Sequence, residues 1–222
     1  MEFFSILYRG AEKTLSFLFP RRCLICGRDG KDLCLACIET LPETYGLHSG
    51  YIHSAFSYND KKVRKLIRFF KYRKRKEVGE ILAKMAFNAF SEDFAEAMLF
   101  KGSVAIVPIS MPKRRVYVRG YNHAEIIAEV FSKHSGLPVV QALKRTRSGK
   151  PQAHISSREE RKENARGIFS VPDARKKEIA GKTIFIVDDI VTTGSTIEDA
   201  SRALKEAGAQ NILAFTLAAT PR

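Results

Sequence analysis

The sequence predicts an α/β protein with a mostly parallel central sheet flanked by helices, and a small four-cysteine module near its N-terminal end. Three observations predict it. Unbroken apolar runs at 103–109 (SVAIVPI), 183–187 (TIFIV) and 211–218 (NILAFTLA) suit strands buried on both faces. A helical repeat of Ile197, Ala200, Leu204 and Ala207 joins the last two runs and stops at Gly208, which makes a βαβ unit. All four cysteines stand in two CxxC pairs, Cys23/Cys26 and Cys34/Cys37.

The 222 residues are enough for one sizeable domain plus a small module. We expect the module over 1–45 and the main domain over 46–222. A composition of 45% hydrophobic and 28% charged residues is that of a soluble globular protein. The formal charge of +14 predicts attraction to phosphates, nucleic acid or acidic surfaces without choosing among them.

Residues 1–19 read as an amphipathic helix with Phe4, Leu7, Ala11, Leu15 and Leu18 on one stripe. Arg9, Glu12 and Lys13 interrupt the apolar run, so no transmembrane segment is expected there. The stretch has neither the basic start nor the cleavage site of a signal peptide, and a cytoplasmic location is expected. The two CxxC pairs are close enough for four thiolates to close one tetrahedral shell. Cys23, Cys26, Cys34 and Cys37 are therefore expected to hold a structural Zn²⁺.

A strand is expected at 51–58 (YIHSAFSY), followed by a helix with Val63, Leu66, Ile67 and Phe70 on one face. Ten bases crowd 61–76, and Lys71, Tyr72, Arg73, Lys74, Arg75 and Lys76 form its densest end. Bases with interleaved rings can follow a single strand of nucleic acid, charge to phosphate and ring to base. They can equally be the solvated face of a core helix, and both readings stand at this point. Helical periodicity resumes over 78–90. The apolar run at 103–109 leads into a loop, 110–120, whose Lys113, Arg114, Arg115 and Arg119 can meet a pyrophosphate. A helix follows over 122–134, with Ala124, Ile127, Ala128 and Phe131 inward and His123 and His134 as surface or capping groups. From 144 to 167 the chain is polar and basic. So long a connection suits either a functional loop, in which Arg145, Arg147, Lys150, Arg158 and Arg161 can fold over a ligand as a lid, or a mobile linker with incidental charge.

The richest stretch is 183–196, TIFIVDDIVTTGST. Two acids stand where the strand is expected to end. Thr192, Thr193, Gly194, Ser195 and Thr196 then lead into a helix, where loop and first-turn N–H groups can surround a phosphate. Carboxylates beside a phosphate cradle suit the hydroxyls of an attached sugar, so a ribose 5-phosphate satisfies both halves.

This run resembles the phosphoribosyl pyrophosphate (PRPP) signature of type I phosphoribosyltransferases. The resemblance implies that Asp188 and Asp189 hold the ribose 2′- and 3′-hydroxyls, that 192–196 hold the 5′-phosphate, and that Mg²⁺ accompanies PRPP. Across the chain, the paired-CxxC head, LIRFFKYRKR, VPISMPKRRVYVRGYNHAEIIA, KRTRSGKPQAHISSREERKENARGIF and VDDIVTTGST occur in the order seen in the ComF family, which includes ComFC and GntX-like members. That implies a type I phosphoribosyltransferase-like fold, with Arg119 and Gly120 in a pyrophosphate loop and Arg147, Gln152, Arg158 and Arg161 in a flexible loop. His123 replaces the Gln of the family's RGFNQ string. The family association is natural transformation, in which single-stranded DNA and competence-machinery proteins are expected partners. An active phosphoribosyltransferase of nucleotide metabolism and a PRPP-sensing regulator are the alternatives. The sequence names no acceptor, so it predicts a ligand site and leaves turnover open.

Overall fold

The structure is a computed structural model describing residues 21–42, 46–99, 103–146 and 167–220. The helix expected at 1–19 and the basic segment 147–166, with Arg147, Gln152, Arg158 and Arg161, lie outside the described residues. The chain forms two compact units, Met1–Leu41 and Pro42–Arg222.

In the first unit the chain doubles back at each cysteine pair. Gly27 has φ +78, and its N–H donates to the Cys23 carbonyl at 2.8 Å, closing the first turn. The second pair opens a short helix, α1 (Leu35–Ile38), in which Cys37 and Ile38 both donate to the Cys34 carbonyl at 3.0 Å.

The second unit runs β1 (Gly46–Ser49), β2 (Ile52–Ser57), α2 (Lys61–Tyr72), α3 (Lys76–Ala89), α4 (Ser91–Leu99), β3 (Val104–Pro108), α5 (Lys113–Arg119), α6 (His123–Ser135), β4 (Lys144–Arg145), β5 (Phe169–Ser170), α7 (Asp173–Ile179), β6 (Thr183–Val191), α8 (Ser195–Glu206) and β7 (Asn211–Ala219). The main sheet has the order β1-β2-β7-β6-β3. Only the β1–β2 pair is antiparallel; β2–β7, β7–β6 and β6–β3 are parallel.

Successive residues of the parallel strands serve opposite faces. Ala105, Val107, Ile184, Ile186 and Ala214 pack with Ile197, Ala200 and Leu204 of α8. Phe185 and Phe215 point the other way, into a ring cluster with Phe90, Phe94 and Phe131. Phe94 lies 5.0 Å from Phe185 and 5.2 Å from Phe131, and Phe90 lies 4.9 Å from Phe215. Helix α2 starts where the Asp60 carboxylate accepts from the Lys62 and Val63 N–H groups at 2.8 and 2.9 Å. Its Val63, Leu66, Ile67 and Phe70 are buried at helical spacing, as expected. Phe70 fits a notch at Gly79 of α3, where any Cβ would overlap the ring.

One stretch differs from expectation. The basic segment after β3, expected as a loop, carries helix α5 from Lys113 to Arg119. KRRVYVR has no helix breaker, but α5 buries none of its residues, so no apolar period marked it.

Candidate ligand site and metal centre

The site forms at the C-terminal ends of β3 and β6, where parallel α/β sheets commonly bind ligands. Asp188 and Asp189 do not end β6. The strand runs on to Val191 because β7 continues beside it, pairing Asp188 with Thr216 and Val191 with Ala219, whereas β3 stops at Pro108 opposite Val187. The acids are thus fixed by one neighbour and lie past the end of the other.

Asp188 accepts from the Asp189 N–H at 2.8 Å. Burial, and next the charge of Asp189, push its carboxyl up to about 7. Asp189 faces two bases. Lys71 Nζ, from the last turn of α2, lies 2.8 Å from Oδ1, and His123 Nδ1 lies 3.7 Å from Oδ2. His123 is fully buried at the start of α6, against expectation. Its ring stands edge-on to Phe70 at 4.8 Å and lies 5.3 Å from Tyr121. Burial, helped by the charges of Arg119 and Lys71, outweighs Asp189 and lowers its pKa to about 4, so the imidazole is neutral near pH 7. Period counting put His123 outside because it precedes the apolar repeat of its helix. Tyr121 OH donates to the Phe70 carbonyl at 2.7 Å, tying the end of α2 to the turn before α6.

Asn122 caps α6, accepting from the Ala124 N–H at 3.2 Å. Its amide donates to the Ile109 carbonyl at 3.0 Å, which fixes the helix to the end of β3. Past β6, Gly194 takes φ +83 and opens α8. Thr193 and Ser195 hydroxyls lie 3.0 Å apart, and Ser195 is buried at the helix start while Thr192 is exposed. The turn therefore brings hydroxyls and first-turn N–H groups to one place, the chemistry of an anion cradle.

Arg145 borders the acids from β4. Its guanidinium sits 4.9 Å from the Phe169 ring centroid and donates to the Ser110 carbonyl at 3.3 Å. Arg145 Nε and Ser110 Oγ are buried and make no hydrogen bond among the described residues. Burial and the charge of Arg115 lower the pKa of Arg145, while Asp188 and Asp199 support its charged form. Asp199 of α8, which sequence reading passed over, accepts from the N–H groups of Gly167 at 2.8 Å and Phe169 at 2.9 Å. It fixes the returning end of the basic segment. One acid among the charged residues of a helix carries no sequence signal for that role.

Arg119 and Gly120 lie against the turn after α2. The Arg119 guanidinium stands 4.9 Å over the Tyr72 ring, and Gly120, at φ +89, faces the Lys74 side chain. The 71–76 cluster is therefore not one surface. Lys71 is turned in to Asp189, Lys76 pairs with Glu80 at 3.5 Å, and Tyr72, Arg73 and Lys74 are exposed.

In the first unit, the ligand atoms of Cys23, Cys26, Cys34 and Cys37 all lie within 4.8 Å of one another. Burial opposes ionisation of Cys23, but N–H groups of Cys26, Cys34 and Ile25 outweigh it and lower its pKa to about 6. Burial and the neighbouring sulfurs raise Cys37 to about 12. Thiols so crowded ionise together only around a cation, and the four fit a structural metal such as zinc.

The phosphoribosyl transferase domain family matches residues 77–222. Competence protein F of Haemophilus influenzae is 29% identical over 69% of this chain and 66% of its own length. Competence protein ComFC of Bacillus subtilis is 30% identical over 74% of this chain and 62% of its own. The chain belongs to the ComF family of phosphoribosyl transferase-domain proteins. DNA utilization protein YhgH of Salmonella typhi is also similar, 26% identical over 70% of this ComF-family chain and 66% of its own. The chain thus matches just under two thirds of the length of these relatives. Among the described residues, no helix is long and apolar enough to cross a membrane.

Proposed function

We propose that this ComF-family chain binds PRPP or ribose 5-phosphate and acts in DNA uptake, where it handles single-stranded DNA in the cytoplasm. The observation that carries the ligand reading is the order along β6 and α8: two acids past the end of β3, then a glycine-led turn into a helix start. Asp188 and Asp189 accept from the ribose hydroxyls, and Thr192 to Thr196 surround the 5′-phosphate. Arg119 and Gly120 meet the pyrophosphate from one side. The buried, unsatisfied N–H of Arg145 and the Ser110 hydroxyl supply donors from the other. Arg147, Gln152, Arg158 and Arg161, outside the described residues, add charge and donors for the same ligand. Mg²⁺, when bound, neutralises charge between the pyrophosphate and the sugar oxygens.

The DNA role rests on the competence and DNA-utilization names of the relatives and on the +14 charge. The cysteine set holds Zn²⁺, and elemental analysis of reduced protein is expected to find about one zinc per chain.

The test is thermal. PRPP with Mg²⁺ is expected to raise the melting temperature, because a ligand of the folded state alone stabilises it. Asp188→Asn with Asp189→Asn is expected to leave a folded protein and no shift. A full shift in the double variant would remove the ribose role from these acids.

A further inference from the structure

Helix α5 has no packing role that accounts for it. It buries none of its residues. Its seven residues, KRRVYVR, hold four bases and no acid, and Tyr117 and Val118 are 88% and 67% exposed. One end approaches Arg145, whose proton affinity the Arg115 charge lowers. The other end meets the turn after α2. Arg119 lies 4.9 Å over the Tyr72 ring, and the Lys74 side chain lies 3.7 Å from where a Cβ on Gly120 would stand. Tyr72 is itself 63% exposed. Two exposed rings and several bases therefore stand on α5 and on the turn that its C-terminal end meets, drawn from segments far apart in sequence.

We propose that this surface, α5 together with Tyr72, Arg73 and Lys74, is a single-stranded nucleic-acid site. Tyr117 and Tyr72 stack bases, and Lys113, Arg114, Arg73 and Lys74 hold the phosphates. The proposal rests on the DNA-handling reading above and moves its main contacts from the 61–76 cluster to α5. Charge complementarity selects a polyanion. The rings select a single strand, because a duplex offers a denser line of phosphates but no free base faces. A lipid surface suits α5 less well, since a seven-residue helix with two exposed apolar side chains buries little area in a bilayer.

The test uses the full chain and a labelled oligothymidylate, read by fluorescence anisotropy over a range of salt. Tyr117→Ala is expected to weaken binding on the order of tenfold without changing the salt slope. Tyr117→Phe, which keeps the ring, is expected to restore it. Lys113→Gln with Arg114→Gln is expected to flatten the log–log slope by about 0.7 per charge removed. Unchanged thermal melting of each variant excludes misfolding as the cause. If the wild type binds and Tyr117→Ala binds equally well, the α5 site falls while the DNA-handling reading stands. If the wild type binds no oligothymidylate, both fall. Duplex bound as tightly as single strand would reduce the surface to bare charge and overturn the stacking. A Tyr117 dependence seen only with phosphatidylglycerol vesicles would give α5 to a membrane surface and overturn the proposal too.

Discussion

Helices α2 and α5 carry similar basic strings, KKVRKLIRFFKY and KRRVYVR, yet the fold uses them in opposite ways. Val63, Leu66, Ile67 and Phe70 make α2 a core helix, and its last turn delivers Lys71 inward to Asp189. Helix α5 is held by its ends, at Pro112 and Gly120, and buries no side chain fully, with Val116 and Arg119 half-buried and the others exposed. On α2 the apolar stripe is buried, Lys61, Arg64, Lys65 and Arg68 stay exposed on the other face, and only Lys71 is drawn inward. A base on a helix without an apolar stripe is free for a partner. Counting charges along the chain therefore does not separate Lys71, which is turned inward, from the exposed bases of the same helix.

The comparison breaks most visibly at Phe70. Phe70→Ala is expected to cost about 3–5 kcal/mol in urea unfolding, since the ring is fully buried and fills the notch at Gly79. A cost near zero would mean that α2 is no more structural than α5.

A smaller effect concerns pH, and it belongs to the α2 end alone. His123 has a folded pKa near 4, below its ordinary 6.5, so the folded state takes up its proton less readily than the unfolded. Its contribution to stability is present above pH 6.5 and is lost as the pH falls through 4, by roughly 3 kcal/mol. Asp188, raised from 3.8 to about 7, works the other way: its contribution is present below 3.8 and is lost as the pH rises through 7. In the wild type the two oppose each other. Asp188→Asn is expected to leave a protein that weakens on acidification across this window, and His123→Gln one that strengthens. Parallel stability profiles for both variants and the wild type would show that neither group titrates as described.

The smallest effect sharpens the contrast. Tyr117→Ala is expected to change stability by no more than about 0.5 kcal/mol, because the ring has no packing to lose. A larger loss in the same urea experiment would reveal a structural use of α5.

The strands were legible because their residues are apolar on both faces, which only a covered parallel sheet requires; 103–109, 183–187 and 211–218 became β3, most of β6 and β7. Fold class and family were readable for that reason, together with the motif at 188–196. What the sequence hid was proximity. Lys71 and Asp189 are remote in sequence and meet at 2.8 Å, because Tyr121 and Gly79 together fix the end of α2. His123 was misread because its burial comes from Phe70 and Tyr121 rather than from its own helix period. The end of β6 was misread because its length is set by β7, a neighbour that local composition does not display.

The Lys71–Asp189 contact has a consequence for any ligand of the proposed site. One acid is already neutralised by an internal ammonium, so recruiting that acid to a sugar is an exchange reaction. The affinity measured is the difference between two bonds and not the strength of one. A free phosphate can settle on the turn before α8 and leave the exchange untouched. A phosphosugar must also compete for Asp189, and if it wins, the end of α2 loses one of its ties and keeps those of Tyr121 and Gly79. On the proposed binding mode, then, the protein has a built-in way to register the sugar as well as the phosphate, with the readout at the end of α2.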